Sequence, residues 1–274
     1  MLKVIIFVIF AITILIKSID GYDFNRKNRP LIKIKKKTRI IDGTPAINGQ
    51  WPFVVSIQNE EQHVCGGAII NQRYVLTACH CFVEGDDVLK EEDVMITVGN
   101  VIWREGERHT VEKIITHENY DSDAVINDIA LARVKKPFIF NSNVQPIKPS
   151  PTNIDDDRLP VSATVVGWGF TNSGKKLVNV ASEILNYVQL KTIPWYTCRE
   201  YYSDIYPTNL CMTSGSMKGS CNGDSGGPLV TYTDKGLVQI GLVSYGDDCN
   251  NTKPEVYTRV PLYLDWIEDN MIMD

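Results

Sequence analysis

Beyond Ile40 the chain breaks into short apolar runs separated by Gly, Asn and Asp, and no other feature restricts its fold as strongly. Val64 to Ile70 and Tyr74 to Thr77 read as neighbouring strands joined by Asn71-Gln72-Arg73. Further strands are expected at Val94 to Val98, Thr110 to Ile115, Ile129 to Val134, Val161 to Val166, Glu183 to Leu190, Leu237 to Val243 and Val256 to Val260. Many short strands at this spacing, each closed by turn residues, favour an all-β sandwich or barrel. Helical periodicity is confined to the tail, where Leu262, Trp266, Ile267 and Met271 would share one side and Asp265, Glu268 and Asp269 the other. At 274 residues there is room for one domain or two small ones. Asp155-Asp156-Asp157 reads as a solvated loop.

The N-terminus has another texture. Lys3 precedes an apolar run from Val4 to Ile16. That is shorter than the roughly 20 residues of a membrane-spanning helix, and it fits a secretory signal ending near Ser18 to Gly21, with an uncleaved anchor as the alternative. Residues 22 to 39 carry eight Lys or Arg against the single Asp23. A basic tail by itself suits nucleic acid or acidic lipid. However, ten of the 28 basic residues and only two of the 33 acidic ones precede Ile40, so the body of the chain is strongly acidic. Such a body cannot neutralise phosphate, which argues against nucleic acid, and no membrane partner is expected after signal removal.

In an extracellular setting seven cysteines read as a disulfide framework with one left over. No Cys-x-x-Cys pair is present, and His63, His80, His109 and His117 do not fall at tight metal spacing with the cysteines. No metal and no cofactor is expected.

Gly223-Asp224-Ser225-Gly226-Gly227-Pro228 carries the strongest chemical signal. Glycines around a serine allow a tight turn that exposes the hydroxyl and the adjacent N–H groups. A serine hydroxyl attacks a carbonyl poorly unless a base takes its proton. The developing oxyanion needs fixed donors, which the N–H groups of Gly223 and Ser225 could supply. Taken alone, such a loop could equally be a plain turn.

With two further motifs the chain resembles the chymotrypsin/trypsin family of serine peptidases over nearly all of residues 40 to 274. Thr77-Ala78-Cys79-His80-Cys81 resembles the motif of the family's base histidine, and Asn127-Asp128-Ile129-Ala130-Leu131 that of its orienting aspartate. Gly223 to Pro228 matches the serine motif, and the three follow in order at spacings of 48 and 97 residues. The resemblance implies an all-β fold of two six-stranded antiparallel β-barrels, with the active site between them and a helix at the C-terminus. It makes His80 the general base, Asp128 the group that fixes its tautomer, Ser225 the nucleophile, and Ser244 a support for Asp128. His80 and Asp128 would belong to the first barrel and Ser225 to the second.

Thr38-Arg39-Ile40-Ile41-Asp42-Gly43 resembles the family's activation junction, with Asp42 at a position that is usually glycine. Residues 1 to 21 would then be the signal peptide, 22 to 39 a basic activation peptide and 40 to 274 the peptidase domain. Cleavage after Arg39 would free an ammonium on Ile40 to pair with buried Asp224 and set the oxyanion loop. The same resemblance implies disulfides Cys65–Cys81, Cys198–Cys211 and Cys221–Cys249, leaving Cys79 as a buried, inert thiol. Asn100 to Glu107 corresponds to a family calcium loop but is shorter and begins with Asn, which argues against calcium. Asn250-Asn251-Thr252 is an N-glycosylation acceptor sequence.

Substrate preference is read from the expected pocket residues Gly219, Ser220, Asn222, Ser244, Tyr245, Gly246 and Glu255. Trypsins carry an aspartate six residues before the serine, where this chain has Gly219. On the opposite wall Lys253-Pro254-Glu255-Val256-Tyr257 has Glu255 where the family pattern has glycine. Tyr245 replaces a tryptophan beside Gly246. This resembles the exchanged arrangement of some crab collagenolytic peptidases and cathepsin G, and implies cleavage after both large apolar and basic residues. Glu255 turned to solvent would leave a chymotrypsin-like pocket instead. The expected partners are protein and peptide substrates, an activating protease and protein inhibitors of peptidases. The competing class is a non-catalytic binding protein of the same fold, which would have lost His80, Asp128 or Ser225, and none is lost.

Overall fold

The computed structural model describes residues 43–271, apart from 86, 154–159, 174–175, 214, 216–217, 247–248 and 250–251. The expected signal and activation segments, Arg39, Ile40, the Asp155 to Asp157 loop and the Asn250 acceptor lie outside the described residues.

Six strands close the first barrel: β1 (Val54–Asn59), β2 (Gln62–Ile69), β3 (Tyr74–Thr77), β4 (Val94–Val98), β5 (Glu107–Thr116) and β6 (Ala130–Val134). Their order is β1-β2-β3-β6-β5-β4, with β4 returning to β1 through Ile57↔Ile96. Val55, Ile57, Val75, Ile96, Ala132 and Phe138 fill the interior, all at most 1% exposed. The second barrel consists of β7 (Ser162–Gly167), β8 (Asn186–Ile193), β9 (Asn209–Thr213), β10 (Pro228–Thr233), β11 (Gly236–Tyr245) and β12 (Glu255–Arg259). It runs β8-β7-β10-β11-β12-β9 and closes through β9 on β8 at Thr192↔Met212. Along β8 burial alternates from Asn186 to Thr192, the period-2 pattern of a strand with one face on the core. The two-barrel expectation is borne out, including the C-terminal helix.

Phe53, Trp103, Val166, Trp168 and Leu185 form a further buried cluster that draws on segments of both barrels. The terminal helix, Leu264–Asn270, seats Ile267 at 2% exposure against Tyr74, Leu76, Ile129 and Leu131. Burying that one side chain contributes about 2 kcal/mol. Leu262 departs from the expected apolar face. It lies in the 3-10 turn Val260–Tyr263, where the 3.6-residue period does not hold, and is 47% exposed.

Strands β1, β9 and β10 were not anticipated from sequence. β1 ends in Gln58 and Asn59, polar residues in a run whose Gln58 is nonetheless buried and bonded to Thr97. β10 begins at Pro228, directly after Gly226-Gly227, so turn punctuation hides its start. β9 has only three apolar residues between Asn209 and Thr213.

Candidate active site

β3 and β6 pair antiparallel with Thr77 opposite Ala130. The chain leaves β3 through Ala78 into the 3-10 turn Cys79–Cys81, while Asp128 stands two residues before β6. The pairing therefore delivers His80 to Asp128. Asp128 is 1% exposed, and its Oδ1 accepts the His80 backbone N–H at 3.0 Å. Its Oδ2 accepts from His80 Nδ1 at 2.8 Å and from the Ser244 hydroxyl at 2.5 Å. Thr258 Oγ1 donates to the Asp128 carbonyl at 2.7 Å, so the second barrel grips this residue twice. With Nδ1–H donating, the neutral imidazole keeps a free lone pair on Nε2. Burial opposes the Asp128 charge, but His80 and the hydrogen bonds from His80 and Ser244 outweigh it and hold its pKa below the ordinary value. Burial likewise opposes the imidazolium, yet the Asp128 charge prevails and the His80 pKa is raised.

The loop Gly223 to Gly227 runs into β10. Gly223 and Gly226 have φ of +92° and +70°. A Cβ at Gly226 would stand 2.8 Å from the Gly66 carbonyl oxygen and 3.0 Å from Ala78 N, so the loop lies directly against the segment that carries His80. The Ser225 carbonyl is tied to the first barrel by the Gly66 N–H at 2.8 Å. The N–H groups of Asp224, Gly226 and Gly227 donate to the carbonyls of Cys221, Val243 and Asp224 at 2.8–2.9 Å. No acceptor among the described residues takes the N–H of Gly223 or Ser225, which leaves two donors beside the serine hydroxyl.

His63, which sequence reasoning passed over, supports this loop. Its Nε2–H donates to the Gly223 carbonyl at 2.7 Å. Burial pushes its pKa down to about 4, so the ring is neutral and its Nδ1 accepts from Ser56 Oγ at 2.8 Å. A contact spanning 160 residues leaves no local signal in the sequence. Asp224 is fully buried, with Oδ1 accepting from Gly169 N–H at 2.7 Å and Oδ2 from Cys221 N–H at 2.9 Å. Burial pushes its pKa up to about 7 against those two hydrogen bonds, and no cation of the described residues pairs with it.

Ser225 shares the lining of a cavity of about 80 Å³ with Ser220, Asn222, Ser244, Tyr245, Gly246 and Glu255. Gly219 is buried next to the cavity but does not line it. Glu255 is 4% exposed and turned inward, with Oε2 accepting from Ser220 N at 3.0 Å, Ser220 Oγ at 2.5 Å and Tyr257 OH at 2.7 Å. Tyr245 packs edge-on against Tyr202 at 5.7 Å and donates to the Asp204 carbonyl at 3.2 Å. A larger surface groove of about 830 Å³, beside Tyr74, Phe140 and Met271, contains none of the candidate residues.

Disulfides join Cys65 to Cys81, Cys198 to Cys211 and Cys221 to Cys249. The first closes the turn that carries His80 and the third flanks the cavity. Cys79 is free and buried, and burial pushes its thiol pKa up to about 12, so it supplies no thiolate. Cys65, His80 and Cys81 are the one cluster of described residues with metal-ligand spacing, but the disulfide consumes both thiolates. In the Asn100 loop the Asn100 amide oxygen accepts Ile102 N–H at 2.9 Å, and the Arg104 guanidinium lies 4.3 Å over Trp103.

Two closed barrels, a half-buried His80 held by buried Asp128, and a glycine-rich serine loop packed against the segment that carries His80 define the architecture of a serine peptidase. The trypsin family profile matches residues 40–267, and the chain belongs to that family. Chymotrypsin-2 of Vespa crabro is 36% identical over 234 residues, covering 85% of this chain and all of that protein. Trypsin-1 of Astacus astacus is 34% identical and the venom peptide isomerase heavy chain of Agelenopsis aperta 35%, each over 85% of this chain and the whole of the relative. Names as different as chymotrypsin, trypsin and peptide isomerase leave side-chain preference to be argued from the pocket itself. The family domain makes this chain a serine endopeptidase.

Proposed function

We propose that this chain is a secreted serine endopeptidase, made as an inactive precursor, that cleaves after large apolar or aromatic residues and after basic ones. The observation that carries the catalytic reading is the buried Asp128 carboxylate, which holds His80 through Nδ1 at 2.8 Å and leaves Nε2 as the base. Ser225 Oγ attacks the substrate carbonyl while His80 takes its proton. The N–H groups of Gly223 and Ser225 receive the oxyanion of the tetrahedral intermediate. His80 then protonates the departing amine, and water hydrolyses the acyl-enzyme by the same route. Asp128 stabilises the imidazolium, in keeping with the raised His80 pKa. Secretion is supported by the three disulfides as well as by the apolar N-terminal run.

Specificity is carried by Glu255. A carboxylate in the cavity wall can pair with Lys or Arg, while Gly219, at the position of the trypsin aspartate, adds no second charge to disfavour Phe or Leu. This is the arrangement that resembles crab collagenolytic peptidases and cathepsin G. On matched peptides ending in Phe, Leu, Lys and Arg, the wild type is expected to cleave all four. Glu255→Gln lowers kcat/KM for Lys and Arg by about 10- to 100-fold, the loss of one charged hydrogen bond, and changes Phe and Leu less than threefold. A wild type that ignores Lys and Arg overturns the mixed specificity in favour of a chymotrypsin-like enzyme.

A further inference from the structure

Glu255 does not stand alone in the pocket wall, and its partners are unevenly arranged. All three hydrogen bonds that the described residues make to its carboxyl fall on Oε2. Two come from Ser220, already among the cavity residues. The third comes from the hydroxyl of Tyr257, which is fully buried, lies on the same strand two residues on, and does not line the cavity. Oε1 is thereby the oxygen left for a ligand in the cavity.

We propose that Tyr257 is a positioning residue for substrate selection: its hydroxyl holds Glu255 with one oxygen toward the cavity, and the proton on that carboxyl decides whether the pocket takes a basic side chain as well as an apolar one. This rests on the mixed-specificity reading above. A protonated Glu255 offers Phe or Leu a neutral wall and gives Lys no countercharge. The ionised form gives Lys its countercharge and changes Phe or Leu little. Burial pushes the pKa of this carboxyl above the ordinary glutamate value, while the Ser220 and Tyr257 donors pull it back. Two other titratable groups act on it. Tyr257 remains a neutral donor, its own pKa raised well above the ordinary tyrosine value by burial and by Glu255. Asp224 repels it across adjacent peptides, since Ser220 N–H binds Glu255 and Cys221 N–H binds Asp224. The sign follows. A group whose acid form is favoured by burial ionises late, so cleavage after Lys rises with pH through the Glu255 pKa and cleavage after Phe does not. The ionisation of His80 affects both substrates alike and cancels in their ratio.

The experiment measures kcat/KM for matched Lys and Phe peptides from pH 5 to 9 with the activated enzyme, its Tyr257→Phe variant and its Glu255→Gln variant. The wild-type Lys/Phe ratio is expected to climb with pH, and the Glu255→Gln ratio to stay flat. Tyr257→Phe removes a donor that favours the charged carboxylate. It should move the climb upward by about one pH unit, so that on the rising part of the climb Lys cleavage falls by up to about tenfold and Phe cleavage less than threefold. Ser220→Ala, measured in the same way, is expected to move the climb in the same direction. A flat wild-type ratio, or equal losses on both peptides in Tyr257→Phe, overturns the proposal while the mixed specificity stands. A wild type that cleaves Lys at no pH overturns both.

Discussion

Ser225→Ala is expected to lower kcat for peptide hydrolysis by about 10⁵- to 10⁶-fold while leaving the fold and its thermal unfolding nearly unchanged. The size follows from the unit in which Ser225 is proposed to act. Without its oxygen there is no covalent route, and His80 can only assist water held in an unsuitable place. The residual rate comes from the unoccupied N–H groups of the loop and from substrate binding. The fold survives because no hydrogen bond among the described residues uses the Ser225 hydroxyl; the loop is anchored by its backbone, through Gly66 N–H to Ser225 O at 2.8 Å and Gly226 N–H to Val243 O at 2.8 Å. Adding His80→Ala to Ser225→Ala should cost little more, since the two act together. Asp128→Asn should cost about 10⁴-fold by presenting the wrong imidazole tautomer. Single-turnover kinetics with an ester and an amide substrate, alongside calorimetry, provide the check. An unchanged rate in Ser225→Ala overturns the assignment of nucleophile and base.

Cleavage between Arg39 and Ile40 is expected to raise kcat/KM by about 10²- to 10³-fold, and Asp224→Asn to abolish that gain. Asp224 is the proposed partner of the new N-terminus. A carboxyl with no exposure, two backbone donors and a pKa pushed up to about 7 is a poor place for a charge unless a cation joins it. A free ammonium on Ile40 is such a cation. Breaking a buried pair of this kind costs about 3–5 kcal/mol, enough to misplace the oxyanion loop in the uncut chain and to account for that rate difference. Gly169 and Cys221, whose N–H groups hold the carboxylate, connect the pair to the loop and to the cavity wall. N-terminal sequencing of the active form should read Ile40-Ile41-Asp42-Gly43. Full activity with residues 22–39 still attached overturns this account.

Much of the molecule was legible in the chain itself. Tyr74–Thr77 and Val94–Val98 were read to the residue, because an apolar run between turn residues is a local property. Chemistry-bearing motifs were equally local: a histidine between cysteines, an aspartate ahead of an apolar strand, a serine among glycines. What escaped were elements whose character is lent by distant neighbours. Gln58 is polar by itself and belongs to a buried strand because Thr97 satisfies it. Leu262 is apolar by itself and stays exposed because a 3-10 turn rotates it away from the barrel.

The candidate site divides along the same line. Residue types, their order, the seven cysteines with one left over and the exchange of Gly219 and Glu255 are properties of the sequence. The direction of Glu255, the clamp of His63 on Gly223 and the hydroxyl of Tyr257 against Oε2 came from the tertiary structure alone. The physical reason is desolvation. A carboxyl or an imidazole removed from water must find donors and acceptors wherever the barrels bring them, and that choice is made by β3 pairing with β6 and β11 with β12, across separations that no sequence window contains.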